Sequence, residues 1–204
     1  MQLFFQGSPS FPQSAMSCLP LLLLLTLLGA AVWHDVRRRR IPNAVVFPGA
    51  LAGLALHTLL PAGAGLFGTP MGGLGFHDSL GGLALGLVVL LPMYVLRTIG
   101  AGDVKLLAMA GAFVGTAQVP LLVLATLVSG GLLALTHAAS QGQLHSLLRN
   151  TWHMLIFTCM SSLAGRPMVA PPRSTSSRLP YGIAIAAAST LCALRLRTGV
   201  TLAL

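Results

Sequence analysis

Acidic side chains are almost missing from this chain. It has three aspartates and no glutamate, against eleven arginines and one lysine, for a formal charge of +9. Charge of either sign is scarce, at 7% of residues, where a soluble domain carries roughly 25%. With 55% hydrophobic residues and a mean hydropathy of +0.85, the composition excludes a water-soluble fold and points to a membrane protein. Cysteine is also rare. Cys18, Cys159 and Cys192 stand alone, with no Cys-x-x-Cys pair, so neither a zinc site nor a disulfide framework is indicated. A basic balance of this kind could suit nucleic acid. Here the basic residues fall in the gaps between apolar runs, which suits anionic lipid head groups and not nucleic acid.

What is present is a series of apolar runs. A helix that crosses a bilayer needs about 20 such residues. The pattern predicts an all-α, polytopic membrane bundle of six spans, at about 18–35, 44–60, 79–98, 104–117, 119–138 and 180–196. Residues 1–17, rich in Gly, Pro, Ser and Gln, read as a disordered tail, and 18–204 as the membrane domain. Pro42-Asn43 opens the second span, with Asn43 as its cap. A Gly/Pro-rich loop, about 61–77, precedes the third, for which Asp78 or Ser79 is the expected cap. Residues 139–179 read as a connection carrying Arg149, Arg166, Arg173 and Arg178. Within it "LHSLLRNTWHMLIFTCMSSLAGR" is expected to lie on the membrane surface as an amphipathic helix. A seventh span there would separate Arg149 from the later arginines. With six spans, ten of the twelve basic residues share one side, which the positive-inside rule makes cytoplasmic.

That topology places the acids. Asp35 ends the first span in "HDVRRRRIPN", and Asp103 opens the fourth in "GAGDVKL", so both face the basic side; Asp78 falls on the other. Two carboxylates held close cannot both ionise easily, so one keeps a proton. The charged one can activate water while the protonated one polarises a peptide carbonyl, with no metal, thiol or serine required. Gly100 and Gly102 let the backbone bend and a substrate approach at Asp103. A position at a helix N-terminus is expected to make Asp103 the charged partner. Lys105, the lone lysine, either snorkels to the interface or tunes the pair or holds substrate. The bland alternatives are a solvated Asp35 paired with Arg37–Arg40, and an Asp103 that merely caps a helix.

At these residues the chain resembles the type IV prepilin peptidases, polytopic aspartic proteases of the bacterial inner membrane. "DVRRRRIPN" is similar to their Asp, five residues, Ile-Pro-Asn pattern, "GAGDVKL" to their Gly-x-Gly-Asp motif, and "LPYGIAIA" to the segment that opens their last helix. The resemblance implies cleavage of the leader from prepilins or pseudopilins, membrane-inserted helices with a short basic leader, at the cytoplasmic rim of the bilayer. It implies Asp35 and Asp103 as the catalytic pair, Gly100 and Gly102 as shapers of the Asp103 loop, and Pro180, Tyr181 and Gly182 beside the site. Only Val36 to Pro42 separate the first two spans, so the cytoplasmic insertion of the bifunctional members is lacking. That implies no N-methyltransferase activity and a likeness to the short forms of tight-adherence (Flp) pilus systems.

Two other classes compete. A transporter would place ionisable groups near the midplane. The acids here sit at span ends, and His57 and His137 read as satisfied polar residues. A serine protease could use Ser129 and His137 of "LVSGGLLALTH", but no Gly-x-Ser-Gly elbow is present. Small residues such as Ser129, Gly130 and Gly131 more often serve helix packing. A non-enzymatic pilus or secretion scaffold would tolerate loss of either aspartate.

Overall fold

Inside lipid, an apolar chain can satisfy its backbone N–H and C=O groups only within itself, and a helix does this residue by residue. The computed structural model describes residues 18–68, 70–95, 99–142, 149, 152 and 181–198. Among the described residues six helices have both ends defined: α1 Leu19–Arg38, α2 Asn43–Leu59, α3 Phe76–Val95, α4 Ala101–Val114, α5 Val119–Ser140 and α6 Tyr181–Thr198. A 3-10 turn, Thr116–Gln118, leads into α5. No strand occurs among the described residues, so the protein is an all-α membrane bundle. Three stretches, Leu19–Arg38, Phe76–Val95 and Thr116–His137, are long and apolar enough to cross a membrane, and Asn43–Leu59 is apolar but shorter. The tail expected at 1–17, Pro180, and nearly all of the surface helix expected within 139–179 fall outside the described residues.

α4 is the centre of the bundle. Val104 and every residue from Leu106 to Val114 are buried, and α4 touches each of the other helices. Its small residues let α3 come close. A Cβ on Gly82 would strike the Gly111 carbonyl, one on Gly111 would strike the Gly82 carbonyl, and one on Gly86 would lie 2.9 Å from the Leu107 oxygen. The Gly82-x3-Gly86 spacing thus packs α3 backbone against α4 backbone, as small residues do between membrane helices. Outward faces carry large apolar side chains, among them Leu51, Val88, Val128 and Leu191. In lipid these have nothing to hide from.

The helix order gives the bundle two ends. α1 ends where α2, α4 and α6 begin. At the far end, Arg197 Nη2 of the last turn of α6 donates to Cys18 Sγ at 3.0 Å, just ahead of α1. Asp78 is also at that end. It lies in the first turn of α3, which begins at Phe76, so neither Asp78 nor Ser79 is the cap. Asp78 Oδ2 accepts the Thr116 N–H at 3.3 Å, and Thr116 Oγ1 donates to the Asp78 carbonyl at 2.7 Å. Ser79 Oγ donates to the Ala112 carbonyl at 2.7 Å. Nearby, His57 Nδ1 accepts the Leu74 N–H at 3.0 Å, which leaves Nε2–H to donate to the Phe113 carbonyl at 2.9 Å. His57 is therefore a satisfied structural histidine.

Candidate functional site

The site is built from the last turns of α1. Leu21, Leu24, Leu28, Ala31 and Asp35 recur at alternating steps of three and four, and all are buried. They form one stripe of the helix, and Asp35 holds its final place. Arg37 to Arg40, which follow it, are exposed. Asp35 is 9% exposed and its Oδ2 accepts the buried N–H of Gly182 at 3.1 Å. The solvated helix end paired with arginines is thus replaced by a buried carboxylate facing α6. Arg37 instead lies 4.0 Å from the Trp33 ring centroid, a cation–π contact on the outer face.

α1 stops at Arg39, whose backbone is left-handed at φ 49 and whose N–H returns to the Asp35 carbonyl at 2.8 Å. This is the usual geometry of a glycine cap, filled here by arginine. The short link that follows knits the two aspartate motifs together. Ile41 packs on Gly102, where a Cβ would lie 3.1 Å from its own Cβ. Pro42 caps α2 in an extended conformation, so Asn43 is its first helical residue and not the cap. Asn43 Oδ1 accepts from Lys105 Nζ at 3.1 Å, and Lys105 also stands 5.5 Å from the Phe47 ring centroid. Lys105 therefore ties α4 to the start of α2.

Asp103 stands in the first turn of α4, ahead of the apolar stretch that begins at Val104. Gly100 caps the helix and donates its N–H to Asp103 Oδ2 at 3.3 Å. That satisfies one of the unpartnered N–H groups at a helix start. The carboxyl of Asp103 is nonetheless pushed up to about 6, first by burial, then by the charge of Asp35, with the Gly100 N–H pulling weakly the other way. The helix N-terminus, expected to favour a charged Asp103, is opposed here by burial. Burial outweighs the local dipole, so Asp103 holds its proton to a higher pH than a free carboxyl does.

Gly182 completes the arrangement. A Cβ there would lie 2.7 Å from Asp35 Oδ2, so only glycine lets the backbone come this close. Its neighbour Tyr181 is near enough to Asp103 to feel its charge. Asp35, Gly100, Gly102, Asp103, Lys105, Tyr181 and Gly182 thus gather at one end of the bundle, on α1, α4 and α6. The part played by Ile41 went unread in the sequence, although the Ile-Pro-Asn triplet that contains it was its signal. Ser129 and His137 do not pair. They are eight residues apart on α5, about 12 Å along the axis, and Ser129 Oγ is bound to the Ala184 and Thr126 carbonyls. Among the described residues no three His, Cys, Asp or Glu side chains converge as a metal site would need.

A family model described as the type IV leader peptidase family matches residues 22–135, more than half of the chain, including both Asp35 and Asp103. Searches of curated proteins and of solved structures found no match.

Proposed function

The chain belongs to the type IV leader peptidase family, and from that footing we propose that it is an aspartic endopeptidase that removes the leader of prepilin-like proteins of the Flp type. Asp35 and Asp103 are its catalytic pair. The observation that carries this reading is that a buried Asp35 at the end of α1 and a half-buried Asp103 in the first turn of α4 stand at the same end of the bundle, within the matched region. A pair that carries one proton suits peptide hydrolysis. Charged Asp35 takes a proton from water as the water oxygen attacks the scissile carbonyl carbon. Asp103 gives its proton to the carbonyl oxygen. As the tetrahedral intermediate collapses, one of its hydroxyls returns a proton to Asp103, the C–N bond breaks, and the proton taken up by Asp35 passes to the leaving nitrogen.

The site lies at the rim of the bundle and not at mid-depth, which suits a substrate whose helix stays in the bilayer while its leader hangs outside. The basic residues at that rim, Arg37 to Arg40 and Lys105, support a cytoplasmic placement in the bacterial inner membrane and a surface of anionic lipid. α1 and α2 are joined by four residues, 39–42, so no insertion stands between them to support methyl transfer. The test is cleavage of a purified Flp-type prepilin by the reconstituted protein. Asp35→Asn and Asp103→Asn should each abolish the mature product while the protein still accumulates in the membrane. Normal processing by either variant rules the pair out.

A further inference from the structure

α5 carries none of the residues named so far as catalytic, yet it grips the element that holds Asp35. Thr126, Ser129 and Gly130 stand at i, i+3 and i+4 and share one face of the helix. The Ser129 hydroxyl shares its hydrogen between the Ala184 carbonyl at 3.0 Å and the Thr126 carbonyl at 3.1 Å. The Tyr181 hydroxyl donates to the Thr126 carbonyl at 3.4 Å. The Tyr181 ring lies across Gly130, where a Cβ would strike its Cε2 and come 2.9 Å from its Cζ. Tyr181 and Ala184 are three apart on the first turn of α6, and Gly182 lies between them. N–H groups in a first turn have no partner inside their own helix. The Gly182 N–H is therefore available to Asp35, and its aim depends on where α6 starts and how it is rotated.

We infer that Ser129 and Gly130 are positioning residues, which seat the start of α6 on α5 and so aim the Gly182 N–H at the Asp35 carboxylate. This rests on the reading of Asp35 as a working carboxylate. Gly130 admits the Tyr181 ring against the α5 backbone. A methyl group there needs a separation of about 3.5 Å or more from the ring carbons, so the Tyr181 ring must yield by roughly an ångström, and we take the first turn of α6 that carries it to follow. The Gly182 N–H to Asp35 bond, at 3.1 Å, then passes beyond hydrogen-bond range. A carboxylate that loses a donated N–H loses support for its charged form. Packing alone would lower stability and leave the titration of Asp35 where it was.

The experiment is an infrared titration of the full chain in nanodiscs. With three aspartates and no glutamate, its side-chain carboxyl bands can be assigned by difference against Asp35→Asn. Gly130→Ala is expected to move the protonation midpoint of Asp35 up by about one pH unit. It should also slow leader cleavage roughly tenfold through kcat and not KM. Ser129→Ala should move both in the same direction by less, and it carries the test if Gly130→Ala does not fold. In a Tyr181→Ala background, Gly130→Ala should add nothing, because the ring it displaces is gone. An unchanged midpoint in both folded single variants overturns the inference, as does an undiminished shift in the Tyr181→Ala background. If the midpoint shifts but the wild type cleaves no leader, the relay stands and the peptidase reading fails.

Discussion

Replacing Asp103 by asparagine should destroy activity and make the protein more stable. A carboxyl with a raised native pKa costs the fold nothing at low pH, because folded and unfolded chains both hold the proton. As pH climbs from 3.8 towards about 6, the unfolded chain releases its proton while native Asp103 keeps its own. The cost therefore grows across that window and is complete above it. A shift from 3.8 to about 6 corresponds to a ceiling of about 3 kcal/mol at neutral pH. Asparagine removes the charge and keeps an amide oxygen that can still accept the Gly100 N–H. The assay is unfolding of wild type and Asp103→Asn in the same detergent at pH 4 and pH 7.5. The variant should unfold at higher temperature at pH 7.5, and the gap should close at pH 4. A variant that is destabilised at pH 7.5, or equally stabilised at both pH values, refutes the assignment of Asp103 as a buried carboxyl held against its charge.

Three further outcomes follow from particular contacts. Gly82→Ile should fail to accumulate in membranes, because its Cβ alone strikes the Gly111 carbonyl and overpacking of this kind costs about 1–3 kcal/mol or more; normal accumulation on an immunoblot would show that the α3–α4 crossing is looser. Arg39→Gly should raise thermal stability by about 0.5–1 kcal/mol by relieving the left-handed backbone at φ 49, whereas Arg39→Val should lower it. Asp78→Asn should leave leader cleavage within about twofold of wild type, since an amide oxygen can still accept the Thr116 N–H at the far end of the bundle.

The helices were legible because their cause is local. Each apolar run, read alone, has to close its own hydrogen bonds in lipid, and each of the six predicted segments falls on a helix, although the fourth, expected to reach 117, ends at Val114. The sharing of one end by Asp35 and Asp103 was legible too, since it follows from counting spans. What escaped depends on neighbours distant in sequence. Asn43 looked like a cap from its place after Pro42, but Lys105, 62 positions on, claims its side chain. Asp103 looked charged from its place in a first helical turn, but the degree of burial that opposes its charge is set by the whole bundle. Gly82 and Gly86 showed their spacing in the sequence, and only their meeting with Gly111 and Leu107 explains it. Gly182 stood out in a motif, while its N–H to Asp35 spans 147 positions and has no local trace.

The central claim is that one carboxylate governs the proton on the other. Isotope-labelled aspartate NMR of the chain in nanodiscs measures this directly, by following the Asp103 carboxyl through pH with and without Asp35. A wild-type midpoint near 6 is expected, dropping measurably in Asp35→Asn because the neighbouring negative charge is gone. A midpoint that stays in place when Asp35 is neutralised would mean that the two groups do not share a site.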